Sequence, residues 1–366
     1  MVAARIVVFV AGAAAVYATF GSAVRTVILP RAVPAKLGRL VFLRMRDLFR
    51  LWAGPGATYE RRDRVMAVYA PVSLLVLLAV WVILVMLGYT AMFWGLAGRS
   101  LRTAFTLSGS SILTLGFEHP ADLASIVLTF TEAGVGLVLL AMLITYLPSI
   151  YASFSRRENA VTALEIRAGS PPSGVEMIER YWILGRVDRL EEVWRDWEAW
   201  FVQVEESHSS FPALVFFRSP QPDHSWVTAA GAVLDAGSLI SSTVDVPRNV
   251  QAEFCIRAGY LALRRIADFF GIPYDHDPKR GDPITIGRDE FDEACDRLGR
   301  AGVPLKPDRD ECWLDFAGWR VNYDTVLVAL SGLTMAPYAP WSSDRSLRAW
   351  RPRLFQRRAK AVRPPE

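Results

Sequence analysis

Charge is missing from three stretches of this 366-residue chain. Residues 6–24, 65–98 and 133–155 contain no Asp, Glu, Lys or Arg, giving runs of 19, 34 and 23 residues. About 20 predominantly apolar residues carry a helix across the hydrocarbon core of a bilayer. Such runs exclude a simple soluble enzyme and a disordered chain. Cysteine is scarce as well: Cys255, Cys295 and Cys312 are odd in number, far apart and all beyond the last apolar run. That excludes a secreted disulfide scaffold and a metal knuckle, and fits reduced thiols in a cytosolic compartment. The net charge of +4 is too small to argue for nucleic acid. No Walker-type loop, no glycine-rich strand-to-helix turn and no Ser/His/Asp or Cys/His spacing is present, so no enzyme is expected.

What is present is an integral membrane protein with a large soluble part: 52% of residues are hydrophobic and 21% charged, against about 45–50% and 25% in soluble domains. Residues 31–64 hold nine Lys/Arg against Asp47, Glu60 and Asp63, whereas residues 99–122 balance Arg99 and Arg102 with Glu118 and Asp122. Arg156 and Arg157 follow the third run. The positive-inside rule then places 31–64 and everything after 156 in the cytoplasm, with 99–122 and the N-terminus outside. The first run, preceded by Arg5 and ending near Gly21-Ser22-Ala23, reads either as a retained anchor or as a cleaved signal peptide. Its length and the basic loop after it favour the anchor.

Residues 35–53 read as an amphipathic helix, with Lys36, Arg39, Arg46 and Arg50 on one side and Leu37, Val41, Met45, Leu48 and Trp52 on another. Such a helix either lies along the inner leaflet with its arginines among anionic lipid phosphates, or serves as a solvated linker.

Residues 100–120 separate the second and third runs. They are mostly uncharged but too broken by Ser, Gly and Pro to span. Residues 101–113 fit a short helix entering the membrane, and Thr114-Leu115-Gly116-Phe117 a return as extended chain. Non-helical backbone at that depth is tolerated only when buried in protein or lining a water-filled path.

On these residues the chain resembles the pore module of potassium channels, in which outer helix, pore helix, filter strand and inner helix follow in that order. The family filter reads Thr-Val-Gly-Tyr-Gly, usually followed by Asp; here the segment is Thr114-Leu115-Gly116-Phe117-Glu118-His119. The resemblance implies that Thr114 gives a hydroxyl and a carbonyl to the innermost ion site. Leu115, Gly116 and Phe117 add backbone carbonyls that replace the ion's water shell. Gly116 suits a positive φ, and Phe117 keeps the aromatic packing that braces the filter while losing the tyrosine hydroxyl. Glu118 stands where the family has its second glycine. It is expected to strain the backbone there and, in a fourfold assembly, to form an acidic ring that attracts cations and puts selectivity for potassium over sodium in doubt. One pore loop per chain implies a homotetramer, with a permeant monovalent cation, potassium by resemblance, and no resident cofactor or metal.

In the inner helix, residues 123–154, the resemblance sets Gly134 and Gly136 near a hinge glycine and Pro148 near a kink. They read as a gating bend or as close helix packing through small residues. Glu132 is the acid well inside this helix. Either it faces the cavity or it hydrogen-bonds behind the filter to Ser108 or Ser110, the second being preferred because it follows the filter so closely.

From residue 158 apolar positions recur at helical spacing, with windows at 225–241, 250–270, 288–300 and 320–334, and no strand alternation stands out. Trp182, Trp194, Trp197, Trp200 and Trp226 read as core before ligand cage. His208, His224 and His276 lie among acids, but their spacing matches no metal-ligand pattern. Residues 345–363 carry eight basic residues beside Trp350 and Phe355, a tail that either touches anionic lipid or merely solubilises.

The expected molecule is therefore an α-helical membrane protein. An N-terminal span (1–30) and a basic linker (31–64) precede a potassium-channel-like pore domain (65–157), whose parts are an outer helix at 65–98, a pore helix at 101–113 and a filter at 114–118. An all-α cytoplasmic domain (158–341) that binds an unknown ligand and a basic tail (342–366) complete it. The expected activity is passive cation conduction across the cell membrane; the alternative is a non-conducting, membrane-anchored sensor or scaffold.

Overall fold

Away from water a chain satisfies its own backbone most simply as α-helix, and that is what the charge-free runs form. The computed structural model describes residues 2–28, 36–54, 59–97 and 100–345. Among them three helices are long and apolar enough to cross a membrane: α1 (Val2–Val27), α4 (Tyr69–Ala97) and α6 (Leu123–Ala168). This is consistent with a membrane-embedded, all-helical protein. Among the described residues the nearest approach to a sheet is a single antiparallel bridge, Val244 to Leu305. The chain forms two compact units, Met1–Ala57 with Val68–Ala152, and Thr58–Ala67 with Ser153–Glu366.

In the first unit α1 and α4 pack closely enough for backbones to touch. A Cβ on Gly12 would lie 2.5 Å from Gly88 O, and one on Gly95 would lie 2.8 Å from Arg5 O. Small residues at a helix interface permit this approach where lipid offers no hydrophobic drive. α2 (Lys36–Ala53) is tied to the start of α4, since Tyr69 donates its hydroxyl to Phe42 O at 2.7 Å and meets Phe42 and Phe49 edge-on. This anchor corrects the stripe expected from sequence. Val41, Phe42, Phe49 and Arg46 are buried, while Leu48 and Trp52 are exposed.

Two boundaries differ from the sequence reading. The outer helix does not start at 65: α3 (Tyr59–Ala67) ends first, and α4 begins at Tyr69. Pro71 explains the break, because it has no N–H to give the carbonyl of Ala67. The inner helix does not stop at 154 but runs on to Ala168. Arg156 and Arg157 mark a change of surroundings, not of propensity, and Val161, Leu164 and Ala168 keep a buried stripe until Gly169 turns the chain at φ 80°. The basic tail beyond 345 lies outside the described residues.

The second unit is built round α9 (Trp226–Ser242), whose Ala, Gly and Ser residues are buried on nearly every side. Around it lie α7 (Gly174–Ile183), α8 (Leu190–Ser210), α10 (Val250–Phe270), α11 (Arg288–Arg300), α12 (Arg309–Arg320) and α13 (Asp324–Thr334). The approach is again close: a Cβ on Gly174 would lie 2.6 Å from Ala236 N. Trp194, Trp197, Trp200 and Trp226 are core side chains, as their spacing suggests, and all three cysteines are buried free thiols.

Candidate functional site

Ser100 starts the short helix that leads into the loop. Its Oγ accepts the Thr103 N–H at 3.1 Å and caps α5 (Leu101–Ile112). Beyond Leu113 two residues enter the left-handed region, Thr114 at φ 52° and Gly116 at φ 68°. Nothing stands within 4 Å of where a Gly116 Cβ would be, so backbone conformation alone calls for glycine there. A non-glycine residue in this region costs about 1–3 kcal/mol, which Thr114 bears.

Ser110, buried near the end of α5, holds this conformation. Its carbonyl accepts the N–H of Leu115 at 2.8 Å and of Gly116 at 3.4 Å. Its hydroxyl oxygen accepts the N–H of Phe117 at 3.0 Å and of Glu118 at 3.1 Å. In a trans peptide the N–H and C=O of one plane point in opposite directions. Four successive N–H groups gathered on Ser110 therefore turn the carbonyls of Thr114, Leu115, Gly116 and Phe117 the other way, toward the exposed side. Among the described residues none of these four oxygens accepts a hydrogen bond. An ordinary strand alternates its polar groups; the left-handed residues at alternate positions cancel that. The result is a row of same-facing acceptors beside the negative end of a helix dipole, a combination suited to a cation.

Behind the loop, Glu132 has the second of the two placements its position allowed. It is fully buried, and Ser108 Oγ lies 2.5 Å from Glu132 Oε1 and 2.9 Å from Met86 O. This joins α4, α5 and α6, and Tyr89 donates to Thr131 Oγ1 alongside at 3.2 Å. The two glycines of α6 differ. A Cβ on Gly136 would fall 2.5 Å from Ile112 O, so that residue serves close packing on the end of α5, whereas nothing lies within 4 Å of a Gly134 Cβ. Pro148 lies about three turns further along, some 18 Å, and is not brought to the loop.

One detail of the sequence reading is corrected. Glu118 does not adopt a positive φ; the strained residue is Thr114, because two left-handed positions already align the N–H groups and the chain leaves extended. Phe117 and Leu115 are each 60% exposed in the single chain. The Thr114 hydroxyl donates to Leu113 O at 2.8 Å, which keeps its lone pairs available to a cation.

The second unit holds polar contacts that the sequence did not reveal. Arg157 is buried, donating to Glu158 Oε1 at 2.8 Å, Leu214 O at 2.8 Å and Phe217 O at 2.6 Å. His208 Nε2 lies 3.2 Å from Arg157 Nη1, and its Nδ1–H donates to Val204 O at 2.8 Å. Burial, and then the Arg157 charge, hold the His208 pKa well below its ordinary value, so this histidine is a neutral acceptor. His224 Nε2 lies 3.1 Å from Glu165 Oε2, and His276 is exposed. Among the described residues no three His, Cys, Asp or Glu side chains converge as metal ligands. Ser110 stands in the sequence reading only as an alternative partner for Glu132, a contact that falls to Ser108, and its hold on the loop carries no sequence signal; Arg157 and His208 are too far apart in sequence to signal each other.

No family model, no curated protein and no solved structure matches this chain.

Proposed function

We propose that the chain is one subunit of a passive, potassium-channel-like cation channel in the cell membrane, not an enzyme. In this reading residues 114–117 of four identical copies surround a common axis, and their carbonyls replace the hydration water of a permeating monovalent cation, taken to be potassium. The observation that carries the reading is the row of four same-facing, unbonded carbonyls held by Ser110. One copy offers oxygens from one side only, and a dehydrated ion needs them all round. Further support comes from α6, which leaves Phe130, Leu137 and Ile144 exposed in the single chain, apolar surface that neighbouring copies and lipid would cover.

Glu118 follows the fourth carbonyl, and four such carboxylates would concentrate cations at the outer mouth. The N-terminus is taken to lie outside and the second unit in the cytoplasm, where it regulates the pore through a ligand of its own. The exposed basic residues of α2, Lys36 and Arg44, and the tail would meet anionic lipid.

The test is cation flux into liposomes together with the protomer count in detergent. Four copies and measurable flux are expected, and Glu118→Gly should raise the potassium-to-sodium ratio. An unchanged ratio would overturn the role given to Glu118, and a monomer would end the conduction proposal. A tetramer without flux would favour a membrane-anchored sensor or scaffold built on the same module.

A further inference from the structure

The second unit contains a narrow cleft, partly open to solvent, where residues 215–219 pass the start of α9 and the turn at 334–337. Ser219 and His224 line it, and both are more than nine-tenths buried. Ser219 Oγ and His224 Nδ1 have no hydrogen-bond partner among the described residues. Buried polar atoms are nearly always paired, so two unpaired ones on residues that line one cleft point to a polar ligand.

The surroundings fix the sign of that ligand. Ser225 and Trp226, also in the lining, are the N-cap and first residue of the 17-residue helix α9, and a helix N-terminus favours an anion through its free N–H groups and its dipole. Arg218 lies in the same wall. Its Nη1 donates to Asp63, and its Nη2 donates to Thr334 O at 3.0 Å and Met335 O at 2.7 Å. That leaves its Nε–H and second Nη1–H without a partner among the described residues. His224 already faces the Glu165 carboxylate through Nε2, at 3.1 Å. A protonated imidazole can hold that carboxylate on one side and offer Nδ1–H to a second anion on the other.

We propose that this cleft is a binding site for a small oxyanion, a phosphate group, held by His224, Ser219 and the start of α9, and that the anion competes with Asp63 for Arg218. Asp63 belongs to α3, and the chain passes from α3 through Val68 directly into α4. An anion that draws Arg218 away from Asp63 therefore frees the segment that leads into the second membrane-spanning helix. Binding stands independently of the channel reading; only this consequence for conduction rests on it.

The test is calorimetric titration of the full-length protein in nanodiscs with orthophosphate and, separately, glycerol 1-phosphate. Saturable binding of orthophosphate identifies the free ion as sufficient; binding of the ester alone identifies a phosphorylated small molecule; either supports the site. Ser219→Ala and His224→Phe should each weaken binding about tenfold, the worth of one charge-assisted hydrogen bond. The thermal midpoint should not fall for Ser219→Ala, since that hydroxyl has no partner to lose. Asp63→Asn removes the competitor and should tighten binding several-fold, a gain that a merely structural ion pair would not give. Absence of saturable binding in both the unaltered protein and Asp63→Asn overturns the proposal, as does binding that neither Ser219→Ala nor His224→Phe alters. In liposomes, phosphate should change cation flux in the unaltered protein and not in His224→Phe. Binding without any cation flux would count against the channel reading and leave the site standing.

Discussion

Arg320 in the second unit and the loop at 114–117 in the first each gather strong polar groups, and they finish in opposite conditions. Arg320 is fully buried. It donates to Asp324 Oδ1 at 2.8 Å, to Asp235 and to Trp341 O, while Tyr323 donates to Asp235 Oδ1 at 2.9 Å and Thr285 bonds Asp324 through N and Oγ1. Burial disfavours the guanidinium charge, yet the Asp235 and Asp324 carboxylates outweigh it and hold the arginine above its ordinary range. At the loop every N–H from Leu115 to Glu118 is taken while the four preceding carbonyls are left open. A closed network fixes a structure; a half-closed one, with donors met and acceptors free, is arranged for something that arrives from outside.

The largest effect should follow from opening the closed network. Arg320→Ala strands two carboxylates in the core, and breaking a buried pair in this way costs about 3–5 kcal/mol, a large part of an ordinary domain's stability. Urea unfolding of the full-length protein in detergent, followed by tryptophan fluorescence, should show a much lower midpoint. An unchanged midpoint would mean that the network is dispensable and that the contrast with the loop is one of appearance only.

How far the sequence discloses these two regions differs for physical reasons. Helices announce themselves by periodicity: the windows at 225–241, 250–270 and 288–300 lie within a residue or so of α9, α10 and α11. The window at 320–334 is less faithful, because it starts on the last residue of α12 and Tyr323 interrupts it as the N-cap of α13. The start of α12 is marked by the cap at Asp308, whose side chain accepts the N–H of Asp310 and Glu311. The loop could be located because charge, span length and the order of segments bracket it. The reason its carbonyls align was not legible, since Ser110 acts through one hydroxyl and one carbonyl on four N–H groups, and no spacing rule encodes that. The Arg320 network joins residues 85 positions apart, beyond the reach of any local pattern.

The intermediate effect should come from loosening the donors' side of the loop. Ser110→Ala removes the acceptor for the Phe117 and Glu118 N–H groups, at about 1 kcal/mol each, and the carbonyls of Gly116 and Phe117 lose their common direction. On the proposed function, cation flux in liposomes should fall several-fold with the oligomer and its thermal midpoint little changed. Ser110→Thr retains a hydroxyl and should recover most of the flux. Equal losses in both variants would show that volume at this position matters and the hydroxyl does not.

The smallest effect lies at Gly134, and its sign, set against that at Gly136, carries the information. At Gly136 an added methyl would press on the Ile112 carbonyl from 2.5 Å. Backbone there cannot move without shifting the end of α5, so Gly136→Ala should destabilise by about 1–3 kcal/mol and disturb the loop that α5 supports. At Gly134 a methyl would meet nothing within 4 Å in the single chain, and alanine is the better helix former by about 1 kcal/mol. Gly134→Ala should thus leave the thermal midpoint unchanged or raise it if that side of α6 faces lipid or water. A clear loss at Gly134 would instead require another copy of the chain seated against it, because a single chain supplies no atom there for a methyl group to displace.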